Sequence, residues 1–100
     1  MKLGVMVITD RHLAQLCGLT RAALRKGHTV GIFVTDEGTR LLASREFSSV
    51  VALPGVAASY CDQSARRHGG RPAGLPETVV SGSQLQNAIM VSESDRLIVL

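Results

Sequence analysis

Tryptophan is absent from this chain, and aromatic residues make up only 3% of it. That excludes a nucleic-acid surface built by stacking bases on aromatic rings. Long apolar runs are missing as well: no stretch approaches the roughly 18 to 20 residues that span a bilayer. The opening MKLGVMVITD carries one lysine, a short apolar run and an early Asp10, with no signal-peptide cleavage pattern. The protein is therefore expected to be cytoplasmic, with neither membrane nor nucleic acid among its partners. Cysteine is scarce. Cys17 and Cys61 stand far apart and match neither a zinc-site nor a CxxC spacing, and in a reducing compartment they are not expected to pair. There is no Gly-rich loop of the nucleotide-binding type. His12 and His68 are too scattered for a metal set, and His28 follows a helix stop. No metal and no cofactor are expected.

What is present describes a globular protein. One hundred residues is the size of one domain, here residues 1–100. Hydrophobic residues at 45% and charged residues at 19% argue against disorder. A chain this short buries a modest core, so assembly with copies of itself would add stability. The formal charge is +3, and arginine greatly outnumbers lysine. This mild basic balance suits small anions or an acidic protein partner better than a long phosphate backbone.

Leu3 to Ile8 is a continuous apolar run, as expected of a strand buried on both faces. From His12 to Lys26 the period becomes helical, with Leu13, Leu16, Cys17, Thr20 and Leu24 on one stripe. Asp10 is the expected N-cap and Gly27 the stop. Cys17, on that stripe, reads as core. Thr29 to Val34 is a second strand, followed by the turn TDEGTR, in which Gly38 is expected to supply a positive φ. Thr39 to Arg45 reads as a short helix, Ser49 to Leu53 as a third strand and Val56 to Tyr60 as a fourth. Asp62 to His68 is helical, and GGRPAGLPE (Gly69 to Glu77) is the longest loop signal. Ser81 or Ser83 caps a helix through Ser92 that turns Leu85, Ala88 and Ile89 inward, and Arg96 to Leu100 is the last strand. Alternating strands and helices predict an α/β fold with a mainly parallel five-stranded sheet and helices on its faces. In such sheets the chemistry gathers at the carboxyl ends of the strands.

Cys61 falls at such an end, where a strand gives way to a helix. The free N–H groups and partial positive charge of a helix N-terminus favour a thiolate, and Arg66, Arg67, His68 and Arg71 follow closely. Position alone leaves two readings open: an activated nucleophile, or a small buried residue closing a strand. Asp62 opposes the first. Asp36 and Glu37, at the end of the second strand, face the same edge and could orient a partner, although such residues more often make the turn. Ser83 could hold an anion or merely cap its helix. Cys61 and Arg67 also stand at Cys-x5-Arg spacing, the bare pattern of a phosphatase or rhodanese-like cradle, though Ser64 occupies a place where such cradles usually have glycine.

The stretches KLGVMVI, RKGHTVGIFVTDEGT, GVAASYCDQSARRHG and VSGSQLQNAIMVSESDRLIVL, in that order and spacing, resemble the DsrE/DsrF-like sulfur-relay family. The resemblance implies a three-layer α/β/α sandwich on a five-stranded parallel sheet. It implies a persulfide-carrying cysteine at the position of Cys61. The residues that follow in this chain, Arg66, Arg67 and the Asp62, Gln63 and Ser64 backbone, are then expected to form its electropositive cradle. It also implies a homo-oligomer, a trimer or a hexamer, with sulfur-donor and sulfur-acceptor proteins as partners. The expected function is thus a sulfur carrier or sulfurtransferase subunit. A non-catalytic interaction subunit of the same fold is the alternative, followed by the Cys-x5-Arg enzyme.

Overall fold

Three apolar runs of six residues form the centre of the molecule. In the computed structural model, which describes residues 1–100, they are β1 (Lys2–Val7), β2 (Thr29–Val34) and β3 (Val56–Cys61). Short edge strands β4 (Val80–Gly82) and β5 (Arg96–Val99) complete a five-stranded sheet in the order β4-β3-β2-β1-β5. Every pairing is parallel. The helical elements are α1 (Leu13–Arg25), a 3₁₀ segment (Asp36–Ala43), α2 (Arg45–Val51), α3 (Asp62–Arg67) and α4 (Gln84–Glu93).

The strand order dictates the layers. Connections β1 to β2, β2 to β3 and β3 to β4 all step towards the same edge. A right-handed crossover then puts their helices on one face. The connection from β4 to β5 returns across the whole sheet, so α4 lies on the opposite face, packed against β1, β2 and β3. The result is an α/β/α sandwich with one thick and one thin outer layer.

Strand alternation fills the two sides unequally. Leu3, Val5, Val7, Val30, Ile32, Val34, Ala58 and Tyr60 point into the thick layer and join Leu16, Leu42, Phe47 and Val50 in a core of 18 buried residues. The thin side holds only Phe33, Cys61 and Met90, with Met6 packed against them. There Gly4, Gly31 and Ala57 stand in register across three adjacent strands. A Cβ on Gly4 would collide with Ser94 Oγ and Met90 Sδ, and one on Gly31 would crowd Met90 Cγ. This row of small residues lets α4 lie close to the sheet.

The expected strand Ser49 to Leu53 is helical instead. Ser44 Oγ accepts a hydrogen bond from the Phe47 N–H at 3.3 Å and caps α2. Phe47, Val50 and Val51, all buried, recur at helical spacing. The fifth strand is β4, whose three residues carry too little pattern to be read. Asp10 does not cap α1. The helix starts at Leu13 with His12 in the cap position and no side-chain bond, and Asp10 lies 3.7 Å from Arg40. In α4 the capping residue is Ser83, reciprocated by Gln86. Its inward residue is Met90, while Leu85 and Ile89 are 63% and 46% exposed and Ala88 is exposed.

The loop from Gly69 to Glu77 is pinned to the thick layer. Leu75 and the following Val79 enter the main core. Arg71 donates to the Val79 carbonyl at 2.8 Å and the Pro76 carbonyl at 2.9 Å, and its guanidinium lies 5.8 Å from the centre of the Tyr60 ring.

Candidate functional site

Cys61 is the last residue of β3 and the cap position of α3, with φ −76° and ψ 113°. Extended backbone gives way to helix at once, so its thiol stands at the carboxyl edge of the sheet. One side of the side chain touches Phe33 and Met90. The other opens on a polar cleft of about 570 Å³, lined by Thr35, Asp36, Asp62, Gln63, Ser64, Arg67 and the α4 start from Gly82 to Leu85. Only 8% of the residue is exposed, so a reagent must enter through this cleft.

The thiol is held below its ordinary pKa by a contest of opposed effects. Burial, the largest single influence, disfavours the thiolate. The Ser64 hydroxyl and N–H, the Thr35 hydroxyl and the Gln63 N–H together outweigh it by hydrogen bonding to the sulfur. Thr35 and Ser64 are themselves buried, with their hydroxyl oxygens 3.3 Å apart. Thr39 Oγ1 donates to the Asp36 carbonyl at 2.7 Å and lies 3.4 Å from the Ser64 carbonyl, tying this turn to α3. The arginines expected to favour the thiolate are not among the groups that do so. Arg66 is exposed and lines no part of the cleft; it pairs at 2.8 Å with Asp62 at the cleft's edge.

The remaining predicted residues divide. Asp36, Asp62, Gln63, Ser64, Arg67 and Ser83 line the cleft with Cys61. Glu37 lies outside it and approaches Arg40 at 3.9 Å. Thr35 and Thr39 were not singled out by sequence, although both belong to the TDEGT turn. Their signal is positional: Thr35 directly follows β2, the parallel neighbour of β3. The turn also inverts an expectation. Asp36, not Gly38, has the positive φ, at 49°, an uncommon conformation for a residue with a side chain. Gly38 is there because a Cβ would meet the Val7 carbonyl oxygen at 2.5 Å.

Three other expectations change. Residues between Cys61 and Arg67 form helix α3 itself, so no loop wraps an oxyanion in the Cys-x5-Arg manner. At about 1.5 Å per residue, the helix carries Arg67 roughly 9 Å along its axis. A loop as long as Gly69 to Glu77, at the functional edge of a sheet, is expected to be recruited over the site, but it lines no part of the cleft. Cys17 is half-buried rather than core. Burial raises its pKa, Arg21 opposes this and Glu46 adds to it. No group of three or more His, Cys, Asp or Glu side chains is placed to hold a metal ion, and no helix is long and apolar enough to cross a membrane.

The two thiols should therefore differ in kind. At neutral pH a small alkylating reagent is expected to modify Cys61 before Cys17, with a pH midpoint for Cys61 below the free-thiol value of about 8.5. Ser64→Ala removes one hydrogen bond to the thiolate, and such bonds contribute about 1.5 kcal/mol or more. The Cys61 rate at pH 7 should fall about tenfold. An unchanged rate would show that the hydroxyl does not act on the sulfur.

No family model matches the chain, and no curated protein is significantly similar to it. Among solved structures the chain is similar to MTH1491 from Methanobacterium thermoautotrophicum, a protein of unknown function. The TM-score is 0.76 at 16% identity, over 99% of this chain and 98% of that one. It is also similar to the YchN protein from E. coli, with a TM-score of 0.74 at 12% identity over the whole of both chains. At these identities the likeness is one of fold: a five-stranded parallel sheet between helical layers, shared from end to end.

Proposed function

We propose that this protein is a sulfur-relay protein, a carrier or sulfurtransferase subunit, that accepts a sulfane sulfur on Cys61 and passes it on. One observation carries the reading: the Cys61 thiol stands at the carboxyl end of a central strand and opens on a polar cleft lined by Thr35, Gln63 and Ser64, whose polar groups favour its thiolate. The resemblance to the DsrE/DsrF-like family and the shared fold support it. The thiolate attacks the terminal sulfur of a donor persulfide. The donor S–S bond breaks, its electron pair leaves on the donor thiolate, and the transferred sulfur keeps its proton as Cys61 persulfide. Nothing is oxidised or reduced overall. Incubation with a persulfide donor followed by peptide mass spectrometry should find one added sulfur on Cys61. A folded protein that stays unmodified with both small-molecule and protein donors favours the non-catalytic interaction subunit.

We also propose that the single domain of residues 1–100 works as a homo-oligomer, a trimer or a hexamer. Six of the seven exposed large hydrophobic residues (Val80, Leu85, Ile89, Val91, Leu97 and Val99) lie from Val80 onward. They surround the thin layer, where α4 carries Glu93 as its only charge. Charge-poor apolar surface of this kind is typical of the centre of subunit interfaces. Sedimentation at micromolar concentration should give a multiple of the 10.6 kDa chain mass, and a monomer would overturn the proposal.

A further inference from the structure

The cleft that holds Cys61 does not end at α3. A second polar cleft of about 500 Å³ adjoins it, lined by Ile8, Thr9, Arg11, Asp36, Glu37, Arg67 and His68. The two share Asp36 and Arg67. The nucleophile therefore stands in one of two adjoining clefts, and Arg67 borders both.

The charges along it do not cancel. Asp62 is neutralised by Arg66 at 2.8 Å, and Glu37 faces Arg40 at 3.9 Å. Neither Arg67 nor Arg11 has a carboxylate within ion-pair distance, and neither guanidinium donates a hydrogen bond within the protein. Asp36 is the one unpaired anion against these two cations. A free guanidinium beside a nucleophile's cleft is a receptor for an anionic oxygen group. The backbone of Arg67 lies six residues beyond Cys61, roughly 9 Å along α3 at a helix's rise, and its charge is not among the influences on the thiol. The anion it receives is therefore set apart from the sulfur under attack, not bonded to it.

We infer that Cys61 takes its sulfur from a low-molecular-weight persulfide that carries a carboxylate remote from its sulfur, with Arg67 binding that carboxylate across the junction of the two clefts and Arg11 assisting. This inference rests on the sulfur-relay reading and names the class of donor. The thiolate attacks the terminal sulfur, the donor S–S bond breaks, and the carboxylated thiolate leaves past Arg67. Arg67 is a binding residue. It gives and takes no proton.

Two measurements test it. The first needs no sulfur chemistry. The ratio of Cys61 alkylation rates by 6-(iodoacetamido)hexanoate and by its primary amide compares an anionic with a neutral reagent of nearly the same size, with the charge held well away from the reacting carbon. In the folded protein that ratio should exceed the ratio in the urea-unfolded chain by roughly threefold to fivefold, the scale of one exposed charge pair. Arg67→Ala should lower it to the unfolded value and Arg67→Lys should largely retain it. Arg25→Ala, which removes the same charge from the far end of α1, should leave it unchanged. Equal ratios in wild type and Arg67→Ala overturn the inference. The second measurement compares glutathione persulfide with its diethyl ester as donor. A lower KM for the acid, lost in Arg67→Ala, supports the inference. Equal use of acid and ester overturns it while leaving sulfur transfer intact. Failure of Cys61 to take sulfur from acid, ester or protein donors overturns it together with the relay reading.

Discussion

Replacement of Cys61 by serine is expected to abolish sulfur uptake completely while leaving the fold intact. Serine keeps the size and the hydrogen-bonding place of the thiol. The Ser64 and Gln63 N–H groups that face the sulfur have an oxygen to donate to instead. What serine lacks is the soft, polarizable anion that attacks sulfur, because its hydroxyl stays protonated where a thiol ionises. Cys61→Ala removes the nucleophile by another route and keeps a small apolar side chain beside Phe33 and Met90. Both variants should be folded by circular dichroism and gain no sulfur in the mass spectrum. Retention of even one added sulfur by either would move the site elsewhere, Cys17 being the only other thiol.

Phe47→Ala is expected to have the largest effect on stability. Its side chain is fully buried and joins α2 to the main core. Deleting a buried phenylalanine costs about 3 to 5 kcal/mol, against a total stability of about 5 to 15 kcal/mol for a typical domain. At about 4 to 8 °C per kcal/mol for a chain of this size, the thermal midpoint should drop by roughly 15 °C or more. A loss below about 1 kcal/mol would contradict the packing described for α2. The expected strand from Ser49 to Leu53 would have left Phe47 outside any regular element, so this variant also tests the helix that replaced it.

The strands that lie in the middle of the sheet were legible because they are continuous apolar runs: Thr29 to Val34 matches β2 from end to end, and Val56 begins β3. Cys61 was legible as a strand-to-helix junction for the same reason. Where the reading failed, two patterns overlapped. Ser-Ser-Val-Val-Ala-Leu looks extended taken alone, but Phe47 starts the helical spacing three residues before Val50, behind a capping Ser44. In α4 the apolar residues lie all round the helix, so no stripe marks the inward face. Gly4 and Gly31 select Met90 for it, and they are close to α4 in space alone. The groups acting on Cys61 were hidden by a similar distance. Thr35 and Ser64 lie 29 residues apart and meet only because parallel strands β2 and β3 end side by side. Arginine, being charged and adjacent in sequence, drew attention that the neutral hydroxyls did not.

The uneven thickness of the two outer layers has a bearing on how the sulfur is reached. Four helical segments and a loop anchored through buried Leu75 lock the thick side. On the thin side α4 is the only cover, and it holds by little more than Met90 among its side chains. Cooperative opening in proteins follows such divisions: units with few buried contacts come apart at a fraction of the global free energy. Helix α4 is thus expected to open before the main core does, and the cleft wall formed by its cap Ser83 with Gln84 and Leu85 belongs to it. A thiol buried on that side can be uncovered by a fluctuation of one helix, with the 18-residue core undisturbed. Its protection from solvent is therefore an equilibrium that subunit contacts on α4 would set.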